Sequence, residues 1–255
     1  MPEIRWLLIL GGTTEAADLA ARVVERWPDR VEVVTSLAGR TRTHRPLPGR
    51  VRIGGFGGVA GLIDALRAER IDWLIDATHP FAATISTHAY DACLATETPR
   101  LALVRPPWTA EANHPWVEVD SMAEAAGLLP KIGRRVFLTV GRQGLDAFSG
   151  VDDVWFLVRL IEPAEKSLPL RRHLVVTGRP PHDLADETRL LQNHRIDLLI
   201  SKQSGGTVTE SKIRAANRLG IPIVMIRRPL PEPGPLVDSV DDALAWIERR
   251  LNDDR

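Results

Sequence analysis

The run Trp6-Leu7-Leu8-Ile9-Leu10-Gly11-Gly12-Thr13-Thr14-Glu15-Ala16 constrains this chain most: an apolar strand meets a glycine pair and then a helical stretch. Lacking a Cβ, Gly11 and Gly12 let the backbone approach another group closely. The free N–H groups and positive dipole end of the following helix favour an anion there. A nucleotide phosphate is the first candidate, and a tight turn that binds nothing is the other. The unit departs from G-x-G-x-x-G, because Thr13 and Ala16 stand where the second and third glycines would be.

The next strand-like run, Val31-Glu32-Val33-Val34, lies about 20 residues on, where an NAD site usually places an acid against the ribose hydroxyls. No acid follows it here. Thr35, Ser36, Gly39, Arg40 and Arg42 stand there instead, a hydroxyl and guanidinium cluster suited to a 2′-phosphate. NADPH therefore fits better than NADH, with a solvated arginine loop as the plainer alternative.

Composition narrows the partners. The 255 residues are 44% hydrophobic with a formal net charge of zero, enough for one large core or two smaller ones and without the basic field of a nucleic-acid binder. Cys93, the single cysteine, excludes an intrachain disulfide and any multi-cysteine metal site, and its helical surroundings suit a buried filler. No apolar run reaches membrane-span length and the N-terminus enters a strand at once, so a soluble protein of the reducing cytoplasm is expected.

Strand-like runs alternate with amphipathic stretches throughout, the rhythm of an α/β chain with mainly parallel sheets. The first series has strands near 7–10, 32–35, 51–53, 73–76 and 101–104, with helices from about Glu15, Val59 and Thr84. Pro106-Pro107 breaks it. After a short segment at 116–119, a second series has strands near 136–140, 154–160, 173–177, 197–201 and 223–227, with helices at 185–193 and 207–219. A last helix, 240–251, is expected to close that second series. Ser121-Met122-Ala123-Glu124 and Thr207-Val208-Thr209-Glu210 both have the spacing of a helix-starting capping box. The expected architecture is two Rossmann-like domains, 1–117 and 118–255, facing across a cleft.

Ligands of open parallel sheets lie beyond the carboxyl ends of the strands. Four loops there are chemically unusual: Gly54-Gly55-Phe56-Gly57-Gly58, Asp76-Ala77-Thr78-His79-Pro80-Phe81, Gly141-Arg142-Gln143-Gly144 and Ser201-Lys202-Gln203-Ser204-Gly205-Gly206-Thr207. In their order and spacing Asp76–Phe81, Gly141-Arg142-Gln143 and Ser201–Gly206, with the 10–15 opening, Glu210 and Ala215-Ala216-Asn217, resemble the precorrin-6A reductase family of cobalamin biosynthesis over nearly the whole chain. The resemblance implies a two-domain enzyme that uses NADPH to reduce the precorrin-6A macrocycle, with hydride to C19, a proton to C18, and neither metal nor flavin.

The roles follow from combining the resemblance with the loops. Gly11, Gly12, Thr13 and Thr14 are assigned to the pyrophosphate, Ser36 and Arg40 to the 2′-phosphate, and Thr78, His79, Gln203, Ser204 and Gly205 to the rest of the cofactor. Arg142, Gln143 and Lys202 are assigned to the carboxylate-rich substrate, with Arg105 and Arg159 as lesser candidates that fit a surface role better. His79 and Lys202 are the catalytic candidates, and Glu210, Tyr90 or water are alternative proton sources. Two other readings are an NADP(H)-sensing regulator without turnover and an S-adenosylmethionine-dependent methyltransferase, though the latter commonly wants an acid after the second strand.

Overall fold

The computed structural model describes residues 3–39, 46–164 and 166–253. The chain divides into two compact units, Met1–Pro106 with Pro229–Arg255, and Pro107–Arg228. The first begins β1 (Arg5–Leu10), α1 (Thr14–Arg26), β2 (Val31–Leu37), β3 (Arg50–Ile53), α2 (Gly58–Ala68), β4 (Trp73–Asp76), α3 (Ala83–Thr96) and β5 (Arg100–Leu103). Trp6–Leu10 of β1 and Trp73–Ile75 of β4 are unbroken apolar runs because both faces of these strands are covered. Leu7 and Ile9 pack towards α1, while Leu8 and Leu10 pack towards α2 and α3. Cys93 lies buried in that second layer, as expected, and burial pushes its thiol up to about 12.

The second unit runs β6 (Val117–Val119), α4 (Met122–Ile132), β7 (Arg135–Thr139), a 3-10 helix (Arg142–Phe148), β8 (Trp155–Leu160), β9 (His173–Thr177), α5 (Leu184–Asn193), β10 (Leu198–Lys202), α6 (Ser211–Leu219) and β11 (Ile223–Ile226). The Ser121 box caps α4: Glu124 N–H donates to Ser121 Oγ at 3.1 Å, and Asp120 N–H donates to Glu124 Oε2 at 2.8 Å. The box expected at Thr207 does not cap α6. Residues 207–210 instead form a turn, closed by Glu210 N–H to Thr207 O at 3.3 Å, and α6 starts at Ser211 without a side-chain cap.

The chain then returns to the first unit through β12 (Leu236–Val237) and α7 (Val240–Asp253). This corrects the expected boundary at 117/118 and the placing of the last helix in the second series. β12 pairs with β5, and α7 buries Ala243, Leu244, Trp246, Ile247 and Leu251 in the core shared with Leu19, Val23 and Trp27. Trp246 meets Trp73 edge-on at 6.4 Å, and Arg26 pairs with Glu248 at 2.9 Å.

Both sheets are wholly parallel. Their orders are β12-β5-β4-β1-β2-β3 and β6-β11-β10-β7-β8-β9. Each winds outward in both directions from a central pair, β1 with β4 and β7 with β10, as in a Rossmann sheet. Each sixth strand comes from outside the five-strand series it completes: β12 after it, β6 before it.

Candidate active site

The reversal of strand order opens a crevice at the carboxyl ends of the central pair. In the first unit, those ends carry Gly11–Thr14 and Ala77–Phe81, so the topology brings together Gly11, Gly12, Thr13, Thr14, Thr78 and His79. Thr13 ties the two exits: its hydroxyl donates to Ala77 O at 2.7 Å and accepts Ala16 N–H at 3.1 Å, capping α1. The two glycines have separate tasks. A Cβ on Gly11 would lie 3.0 Å from Thr35 Cγ2, and its N–H bonds Ser36 O at 2.9 Å, so Gly11 seats the turn against β2. Gly12 has φ +105°, and a Cβ there would meet nothing within 4 Å, leaving its outer side open. The N–H groups of Gly12, Thr13 and Thr14 find no acceptor among the described residues. Thr35 Oγ1, fully buried on the strand against Gly11, has no partner among the described residues either. An anion at the start of α1 fits this arrangement.

Asp76, buried at the end of β4, fixes the neighbouring loop. It accepts Thr78 N–H at 3.1 Å and Thr78 Oγ1–H at 2.7 Å. His79 Nδ1 accepts Phe81 N–H at 3.2 Å, so the imidazole orders the loop and carries its proton on Nε2. Arg105 is not a solvated charge: its side chain pairs with Glu15 at 3.1 Å and lines a depression with Thr13, Thr78 and Pro80. Tyr90 leaves the group of proton sources, because its ring lies 5.5 Å from Arg100, at the amino end of β5. Ser36 is buried near the end of β2. Arg40 and Arg42 lie outside the described residues.

In the second unit the ends of β7 and β10 bring together Arg142, Gln143, Lys202, Gln203, Ser204 and Gly205. Gly141, at φ +75°, turns the chain into the 3-10 helix, which leaves Arg142 and Gln143 exposed and buries Leu145 and Phe148. Lys202, the last residue of β10, is half-buried. Gln203, expected at the cofactor, has its side-chain amide on the Trp108 backbone: its Oε1 accepts Trp108 N–H at 3.0 Å and its Nε2 donates to Trp108 O at 2.9 Å. It braces the backbone at 108. Arg228 holds the same loop, donating to Gln203 O at 2.7 Å and Ser204 O at 3.1 Å, and Trp108 Nε1–H donates to Gly206 O at 2.6 Å. The loop that presents Lys202 is therefore rigid before any ligand arrives.

Arg159 is neither a surface charge nor available to a substrate. It pairs at 2.6 Å with Glu187, which is 1% exposed, and packs over Phe137. The sequence reading missed this pair and the Arg228 brace, since neither has a local signal.

Comparison with known proteins gives concordant results. A family model described as precorrin-6x reductase CbiJ/CobK matches residues 6–248. A precorrin-6A reductase of Rhodococcus erythropolis is 48% identical over 242 residues, covering 94% of this chain and 96% of the relative. A cobalt-precorrin-6A reductase of Synechocystis is 29% identical over 194 residues, 73% of this chain and 74% of that protein. The solved structure titled CobK precorrin-6A reductase superposes with a TM-score of 0.91 at 40% identity, covering 96% of this chain and 97% of the other.

Proposed function

The chain belongs to the precorrin-6x reductase CbiJ/CobK family, and from that premise we propose that it reduces metal-free precorrin-6A with NADPH. The activity is an oxidoreduction at a CH–CH bond of a tetrapyrrole in cobalamin biosynthesis. The metal-free substrate is supported by the gap between 48% identity to a precorrin-6A reductase and 29% to a cobalt-precorrin-6A reductase. Family membership displaces both the non-catalytic sensor and the methyltransferase. Among the described residues no helix is long and apolar enough to cross a membrane, and the reading places the enzyme in the cytoplasm.

The observation that carries the cofactor reading is the exit of β1: an open, positive-φ Gly12 beside unpaired N–H groups at the start of α1. NADPH, when bound, supplies hydride. Gly12, Thr13 and Thr14 would hold its pyrophosphate, Ser36 and Arg40 its 2′-phosphate, and Thr78 and His79 the segment nearer the reacting end. With Nδ1 accepting Phe81 N–H, the neutral imidazole is too weak an acid to give up its Nε2 proton, so His79 would act by orienting a water that protonates the ring. Ser204 and Gly205 contribute backbone to the cofactor's far end. Arg142, Gln143 and Lys202 answer the substrate carboxylates, with positioning from their rigid loops doing much of the catalysis.

Calorimetric titration with NADPH and NADH tests the cofactor, and turnover of purified precorrin-6A followed by mass spectrometry tests the reaction. NADPH should bind well over tenfold tighter than NADH, and the product should gain two hydrogens. Equal affinities for the two dinucleotides refute the 2′-phosphate assignment. A protein that binds NADPH but leaves precorrin-6A unchanged refutes the reductase.

A further inference from the structure

Sheet register aligns a second cation with the 2′-phosphate region. Leu10 of β1 pairs with Ser36 of β2, and Ser36 with Arg52 of β3. Paired residues of parallel strands share a face, with neighbouring strands about 4.8 Å apart, so Ser36 and Arg52 stand side by side at the carboxyl edge. The Arg52 guanidinium lies 3.9 Å over the Phe56 ring and donates at 3.1 Å to both Gly54 O and Gly55 O. Nε–H and one further hydrogen on each terminal nitrogen remain. Arg52 is half-buried, and no carboxylate pairs with it among the described residues. Several other part-buried arginines are neutralised by an acid, among them Arg5 by Asp72, Arg105 by Glu15 and Arg159 by Glu187.

A cation held rigid by two carbonyls and a ring, next to a hydroxyl that no side chain or carbonyl among the described residues engages, is preorganised for a phosphate. The glycines at 54, 55, 57 and 58 leave the approach clear, since a Cβ at any of them would meet nothing within 4 Å. We propose that Arg52, with Ser36, forms a 2′-phosphate site that selects a 2′-phosphorylated adenosine. The proposal rests on the dinucleotide reading above and assigns specificity within it to a residue that reading does not include.

The test is calorimetry with adenosine 2′,5′-bisphosphate and adenosine 5′-monophosphate on the intact chain and on Arg52→Gln, Arg52→Lys and Arg52→Ala. Glutamine can still donate to a loop carbonyl but carries no charge. In Arg52→Gln the preference for the bisphosphate should fall at least tenfold, with monophosphate binding changed less than threefold. Arg52→Lys should recover part of that preference and Arg52→Ala none. Both ligands weakening by one factor in Arg52→Gln would make Arg52 a brace for the glycine loop and overturn the assignment. A preference unchanged in all three variants, yet present in the parent, overturns Arg52 alone. No preference in the parent overturns the NADPH reading with it.

Discussion

Replacing Gly12 by valine separates strain in the protein from exclusion of the ligand. At φ +105° the residue lies beyond the small left-handed well open to L-amino acids, and a β-branched side chain there is strained by about 1–3 kcal/mol. No clash adds to that figure, because a Cβ at 12 meets nothing within 4 Å. For a chain of this size each kcal/mol lowers Tm by about 2–4 °C, so Gly12→Val should melt roughly 2–12 °C below the parent and remain folded. The effect on the ligand is larger. NADPH at one hundred times its Kd stabilises the parent by about 2.7 kcal/mol, a rise of roughly 5–11 °C, and the valine should abolish that rise by filling the approach to the pyrophosphate. Gly11→Ala is the control: its Cβ presses on Thr35 Cγ2 at 3.0 Å, away from the ligand side, so it should lose some stability and keep the NADPH-induced rise. Differential scanning fluorimetry with and without NADPH reads both quantities. A folded Gly12→Val with the parent's full ligand-induced shift would refute the reasoning.

Three further outcomes are expected. Trp246→Ala removes a buried ring from the α7 core and should cost about 3–5 kcal/mol, read by urea denaturation; a loss below about 1 kcal/mol would mean α7 contributes little to the first unit. Arg142→Ala and Lys202→Ala should leave NADPH affinity near the parent's while raising KM for precorrin-6A, with kcat falling as well if the macrocycle is misplaced; unchanged constants in both would remove these loops from the active site. Burial, aided by the Arg159 charge, holds His182 below its ordinary 6.5, so the unfolded chain takes up a proton that the fold resists. That stability is present above pH 6.5 and lost as pH falls below it; His182→Asn should flatten the acid limb of a Tm against pH curve, and an unaltered limb would count against this account.

Most strands and helices were readable from the residues because local periodicity fixes them: Trp73–Asp76 and His173–Thr177 have the bounds expected of them. The positions of Gly11–Thr14, Thr78, His79 and Arg142 beyond strand ends, and of Lys202 at one, were equally readable, since topology follows from the strand-helix rhythm. Partnership over long separations was not. The period of α7 shows that one face is buried but not which sheet covers it, so the last helix went to the wrong unit. Gln203 carries the donors and acceptors of a ligand-binding amide, and only the fold shows both engaged by Trp108. Arg52 gave no signal at all, because its meaning lies in the register between β2 and β3.

The borrowed sixth strands impose an order on biosynthesis. As the chain leaves the ribosome, the first unit has β1 to β5 in hand, but the edge of β5 stays unpaired until Leu236 and Val237 are made. Trp246 and its neighbours arrive later still, so the flank of α1 that α7 covers stays open through most of translation. The second unit is continuous, from Pro107 to Arg228, and has all its strands before the first is complete. The nascent first unit therefore presents an open strand edge and a part-covered helix for the longest time, two features that invite aggregation and chaperone capture. Truncation just short of β12 should trap that state, leaving the first unit insoluble while the inserted unit folds.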